Sequence, residues 1–150
     1  MATIPTLANP HSTDSIACQL LDLPIPSTLD LFELTDCCCA FVNVLLETQN
    51  KAERLALCGR LAFTLDELKN RCDEDLPPHL VERLSTTFST QSCMPDCWQD
   101  TAMLVGYAKA LNQALLSQTM ASAVSQELAG LLHDLIYILA DFVREPYLQH

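Results

Sequence analysis

Apolar positions recur every three or four residues through most of the chain, in blocks broken by proline and acidic clusters. Leu31, Leu34, Cys38, Phe41 and Leu45 share one face of a helix predicted over 28–47, with Ser27 or Thr28 as N-cap and Asp30 and Glu33 favouring the positive helix start. Asn50 followed by Glu53 reads as a capping box for a second helix reaching about Cys72, whose stripe is Leu57, Leu61, Leu65, Leu68 and Cys72. Leu55, Cys58, Ala62 and Phe63 flank that stripe. The link between these helices is so short that they must fold back as an antiparallel hairpin. Asp73-Glu74-Asp75 and Pro77-Pro78 end the second helix, and a short helix is predicted over 78–88, before a loop at 89–95.

A fourth helix is expected over 96–117, with Thr101, Leu104, Ala108, Leu111 and Leu115 on one face. Beside them Met103, Tyr107, Ala110 and Ala114 form a second stripe, whose small residues suit a close helix neighbour. The fifth helix is predicted over 121–144, stopped by Pro146. Ala121, Val124, Leu128, Leu131, Leu135, Ile138 and Phe142 keep heptad spacing, and Leu132, Ile136, Leu139 and Val143 run alongside. Two stripes make a face wide enough for two neighbours, so this helix is expected to be central. If the monomer leaves a stripe uncovered, a homodimer is expected to cover it. The segment from Leu55 to Lys69 also echoes that from Leu128 to Val143, which most simply reflects two amphipathic helices sharing a period.

The first 26 residues are rich in Pro, Ser, Thr and Asn. They read as an arm with one short helix over 15–21, capped by Asp14 or Thr13 and packed through Ile16, Leu20, Leu21 and Leu23. The expected fold is therefore all-α: a four-helix bundle of two antiparallel helical hairpins, with a short connecting helix and an irregular N-terminal arm. The domain division is 1–26 for the arm and 27–150 for a single helical domain.

The chain has 150 residues, and only 3 are glycine, too few for a turn-rich β-fold or a glycine-rich phosphate loop. Its 19 acids against 8 Lys and Arg give a net charge of −11, and no base precedes Lys51. Direct nucleic-acid binding needs clustered bases, and so does docking on an anionic membrane surface; neither is expected. No run approaches the roughly 20 apolar residues of a membrane span, and the N-terminus carries no secretory pattern. The 8 cysteines then read as reduced thiols in a cytoplasmic protein. Three of them, Cys37, Cys38 and Cys39, are consecutive, with Cys38 in the core stripe.

Catalytic chemistry finds little support. Cys93 and Cys97 form one loose pair with no second close-spaced pair, so no structural zinc is expected, and Asp96 and Asp100 disfavour a reactive Cys97 thiolate. His133 lies beside Asp134, but no Lys or Arg occurs between Lys109 and Arg144 to assist phosphoryl transfer. There is no Glu-x-x-His pair for a di-iron bundle, and no nucleophile-elbow, Walker or zincin motif. No enzyme, metal or cofactor is expected.

What remains is acidity and apolar stripes. The acidic candidates for protein binding are Asp73, Glu74 and Asp75 after the second helix, and Glu127, Asp134 and Asp141, which recur every seven residues on the fifth. The expected function is that of a small non-enzymatic regulatory or inhibitory protein. It would dock on a basic partner and occlude a nucleic-acid-binding surface, as a bacterial or phage anti-defence inhibitor or an antitoxin does. The alternatives are a helical adaptor or chaperone using an apolar groove, or a dimerisation module.

Overall fold

Side-chain caps set where the helices begin. The computed structural model describes residues 15–72 and 100–144. Helix α1 (Ile16–Asp22) is capped by Ser15, whose Oγ accepts the Cys18 N–H at 3.1 Å. Helix α2 (Leu31–Glu47) starts three residues later than the sequence pattern implies. Asp30 itself is the cap: its Oδ1 accepts the Glu33 N–H, and the Glu33 carboxylate accepts the Asp30 N–H, both at 2.9 Å. This reciprocal pair satisfies two helix-end donors at once, which Ser27 or Thr28 cannot do.

Helix α3 (Lys51–Cys72) is capped by Asn50 as expected, with Oδ1 accepting from Ala52 and Glu53. The return half of the predicted capping box does not form. Glu53 instead accepts the Thr48 hydroxyl at 2.6 Å and the Ser15 hydroxyl at 2.8 Å. Helix α4 (Thr101–Ser117) begins at an Asp100 cap rather than at residue 96, and Gln118 ends it in the left-handed conformation. Helix α5 (Ser122–Arg144) is the longest. The predicted helix over 78–88 and loop over 89–95 lie outside the described residues.

The described residues contain these five helices and no strand, which bears out the all-α class. Each long helix has two principal neighbours: α2 and α4 both pack on α3 and on α5. Leucines dominate the interior between them. Leu34 and Leu45 of α2, Leu57, Leu61, Leu65 and Leu68 of α3, Leu104 of α4, and Leu132, Ile136 and Leu139 of α5 are fully buried. Each such side chain contributes about 1.5–3 kcal/mol relative to leaving it exposed. Asn112 is also buried, and its Nδ2 donates to the Cys58 carbonyl of α3 at 2.8 Å while Oδ1 has no partner.

Helix α1 lies on α2 and α3 through Ala17, with Leu20 and Leu21 packed behind it. Ile16 and Leu23, expected to anchor the arm, are instead exposed at 66% and 55%. The arm is held by polar contacts as well. Arg60 donates to the Leu23 carbonyl, Arg71 to the Ser27 carbonyl, and Ser15 to Glu53. Among the described residues no helix is long and apolar enough to cross a membrane.

Candidate functional site

The heptad stripe of α5 is not the buried one. Leu131 is 52% exposed and Val124 48%, while the neighbouring stripe of Leu132, Ile136, Leu139 and Val143 fills the interior. On α4 the stripe expected to admit a close neighbour is also open: Tyr107 is 49% exposed and Ala110 faces solvent. These two uncovered stripes meet. Tyr107, Ala110 and Leu111 of α4 and Leu131, Leu135 and Ile138 of α5 line a groove of about 550 Å³. Leu135 forms its floor, since it is buried, and Leu111 and Ile138 are half-buried walls.

Among the described residues Asp134 is the one charged residue lining the groove. Its side chain is 75% exposed. Glu127 and Asp141 lie one heptad before and after it, both exposed. Asp141 sits toward α2, close enough to help push the Cys39 thiol pKa up, although burial is the main cause there. The bases on these two helices point elsewhere. Lys109 pairs with Asp66 of α3, and Arg144 pairs with Asp36 of α2. The acidic row beside the groove is thus left without a Lys or Arg partner among the described residues.

The structure places three of the sequence-predicted site residues, Glu127, Asp134 and Asp141, on one exposed face of α5. It brings only Asp134 into the groove itself. Asp73, Glu74 and Asp75 lie outside the described residues, as do Cys93, Cys97 and His79. Tyr107, Leu111, Leu131 and Ile138 were read from sequence as core or helix-packing positions. The sequence signal for Leu131 and Ile138 is their spacing three before and four after Asp134, whereas Tyr107 and Leu111 come from another helix and carry no such signal.

Beside the acidic row, toward α2, His133 joins a polar cluster. Its Nδ1 lies 3.0 Å from Asp134 Oδ1 and its Nε2 3.0 Å from Asn43 Oδ1. Asn43 Nδ2 in turn donates to the Tyr137 hydroxyl at 2.7 Å, and the His133 and Tyr137 rings lie 4.7 Å apart. This cluster ties α5 to α2 and steadies Asp134 at the groove edge.

The thiols of Cys37, Cys38 and Cys58 are poorly suited to chemistry. Burial pushes the Cys58 pKa up to about 11 and raises Cys38 well above the usual thiol range. Cys37 is raised by burial, then by Asp36 and Glu33. At pKa 11 only about one thiol in 10⁴ is thiolate at pH 7. No three His, Cys, Asp or Glu side chains converge as a metal site among the described residues. No family model, curated protein or solved structure matches the chain.

Proposed function

We propose that the protein is a non-enzymatic, protein-binding regulator whose α4–α5 face docks a basic amphipathic segment of its partner. The observation that carries this reading is the apolar groove with an acidic residue on its edge, Asp134, which meets His133 but no Lys or Arg among the described residues. An amphipathic helix lays its apolar face in such a groove, and lysines flanking that face meet Glu127, Asp134 and Asp141. A homodimer through the same face is disfavoured. Pairing α5 with a symmetry-related α5 brings two acidic rows together, and like charges oppose each other across an interface. The wider architecture belongs to the same proposal: two antiparallel hairpins, α2–α3 and α4–α5, present the groove on a rigid body. The three- and four-residue links at 48–50 and 118–121 support that arrangement. Acting on a basic nucleic-acid-binding protein, such docking covers the segment that would otherwise meet phosphate. A cytoplasmic regulator or inhibitor of this kind needs no catalytic group.

A labelled helical peptide with leucines at helical spacing and lysines on the flanks tests the proposal by fluorescence anisotropy. The expected result is saturable binding that weakens several-fold as ionic strength rises from about 0.01 to 0.15 M, where the Debye length falls from about 30 to 8 Å. Leu131→Ser and Asp134→Lys are each expected to lower affinity about tenfold or more, roughly 1.4 kcal/mol. Equal binding of a peptide with glutamates in place of the lysines contradicts the proposal, as does unchanged affinity in both variants.

A further inference from the structure

A second concave site lies far from the acidic row in character. Where α2 and α4 finish and α3 and α5 begin, an open cavity of about 270 Å³ is lined by residues of all four helices. Its apolar surface comes from Leu45, Cys58 and Leu115, all buried, with Leu55 and Met120 half-buried beside them. Its polar side carries Lys51, Arg54, Gln118, Ser122 and Ser125. Among the described residues two cations and no carboxylate line this cavity, in a chain whose net charge is −11.

The cations are available. Lys109 and Arg144 are in ion pairs, and Arg60 holds the arm, but among the described residues neither Lys51 nor Arg54 meets a carboxylate. Glu53, the nearest acid in sequence, turns to Thr48 and Ser15 instead. The Arg54 guanidinium is also oriented in advance. One of its nitrogens, Nη1, donates to the Leu45 carbonyl at 2.7 Å and the Thr48 carbonyl at 3.3 Å. That fixes the plane of the fork and leaves its other N–H groups without an acceptor among the described residues. A guanidinium so held matches a planar two-oxygen anion. The start of α5 adds to the local sign: Ala121 stands at the cap position with no side-chain oxygen, and the first turn has no acid.

We propose that this cavity binds a small amphipathic monocarboxylate. Its carboxylate meets Arg54 and Lys51, and its apolar body lies on Leu45, Leu55, Cys58 and Leu115. The volume is about that of nine liquid waters at ~30 Å³ each, so the apolar body is a short chain or a single ring. It falls just below the ~300 Å³ at which drug-sized pockets begin. The burial of the Cys58 thiol makes that residue part of the apolar floor rather than a reactive group.

Octanoate, octanol, acetate and octyl phosphate are the probes, titrated into the full chain and followed by calorimetry and by amide shifts of Leu115 and Ser125. Octanoate is expected to bind at least tenfold more tightly than octanol, which lacks the charge, and than acetate, which lacks the chain. Lys51→Gln and Arg54→Gln are each expected to weaken octanoate about fivefold or more and to leave octanol unchanged. Arg54 also bonds the end of α2, so Lys51→Gln decides the matter if circular dichroism shows Arg54→Gln misfolded. Equal affinity for octanoate and octanol overturns the proposal, and so does octanoate binding insensitive to Lys51→Gln. Tighter binding of octyl phosphate than octanoate overturns the carboxylate assignment. These probes report on the end of the molecule, so their outcome is separable from that of peptide binding at the α4–α5 groove.

Discussion

Leu131 and Leu132 are consecutive, and the helix turns them roughly 100° apart. Leu132 is fully buried, whereas Leu131 is 52% exposed at the groove. Their truncations should therefore separate stability from binding. Leu132→Ala is expected to cost about 2–5 kcal/mol in urea unfolding, because it leaves a cavity among packed leucines. Leu131→Ala is expected to cost under about 1 kcal/mol. Equal losses at both positions would show that Leu131 is a core residue. Sequence spacing alone does not distinguish the two. Val124, Leu131 and Ile138 recur every seven residues, but a straight α-helix drifts by ~20° per heptad. The face that stays against α2 and α4 is the one carrying Ala129, Leu132, Ile136, Leu139 and Val143. Asn112 is a harder case. Its spacing from Ala108 and Leu115 puts it on the buried face, but its amide does not belong in an apolar stripe, and the Cys58 carbonyl of another helix is what accommodates it.

At the scale of elements, the Asn50 cap of α3 was legible in the sequence, whereas α1 is capped by Ser15 rather than Thr13 or Asp14 and α2 by Asp30 rather than Ser27 or Thr28. Asn50 caps α3 as its sequence context implies, but Glu53 three residues on bonds Thr48 of the preceding link and Ser15, and the Ser15 contact exists only once α1 has docked. Those hydroxyls, Thr48 first and Ser15 next, hold the Glu53 carboxyl below its ordinary pKa. A carboxylate whose pKa is lowered by folding stabilises the fold above its unfolded pKa, and that contribution disappears as pH falls through the folded value. Wild-type protein is accordingly expected to exceed Glu53→Gln in thermal midpoint at neutral pH. The difference should shrink steadily below about pH 4.5. A difference that is the same at pH 7 and pH 3 would contradict the assignment. The four long helices were similarly readable from their periodicity, within one to five residues at their starts. Which faces they turn to each other was not, because both stripes of α4 and both of α5 are apolar, and only the presence of neighbours decides which is covered.

For the whole molecule, charge and shape act together. The acidic heptads of α5 are legible in the sequence, as are the apolar stripes. Their juxtaposition is not, since it depends on Tyr107, Ala110 and Leu111 of α4 coming to lie beside Leu131 and Ile138. The same holds for the cavity at the helix ends, where Lys51 and Arg54 meet Ser122 and Ser125 from a helix about seventy residues further along. The central claim is that a basic amphipathic segment docks on the α4–α5 face. Methyl chemical-shift mapping with the lysine-flanked peptide tests it most directly, because it reports where the segment sits as well as that it binds. The account predicts that methyls of Leu111, Leu131, Leu135 and Ile138 shift together on titration, while those of Leu57 and Leu61 do not. Shifts confined to other surfaces, with the groove methyls unmoved at saturation, would contradict it.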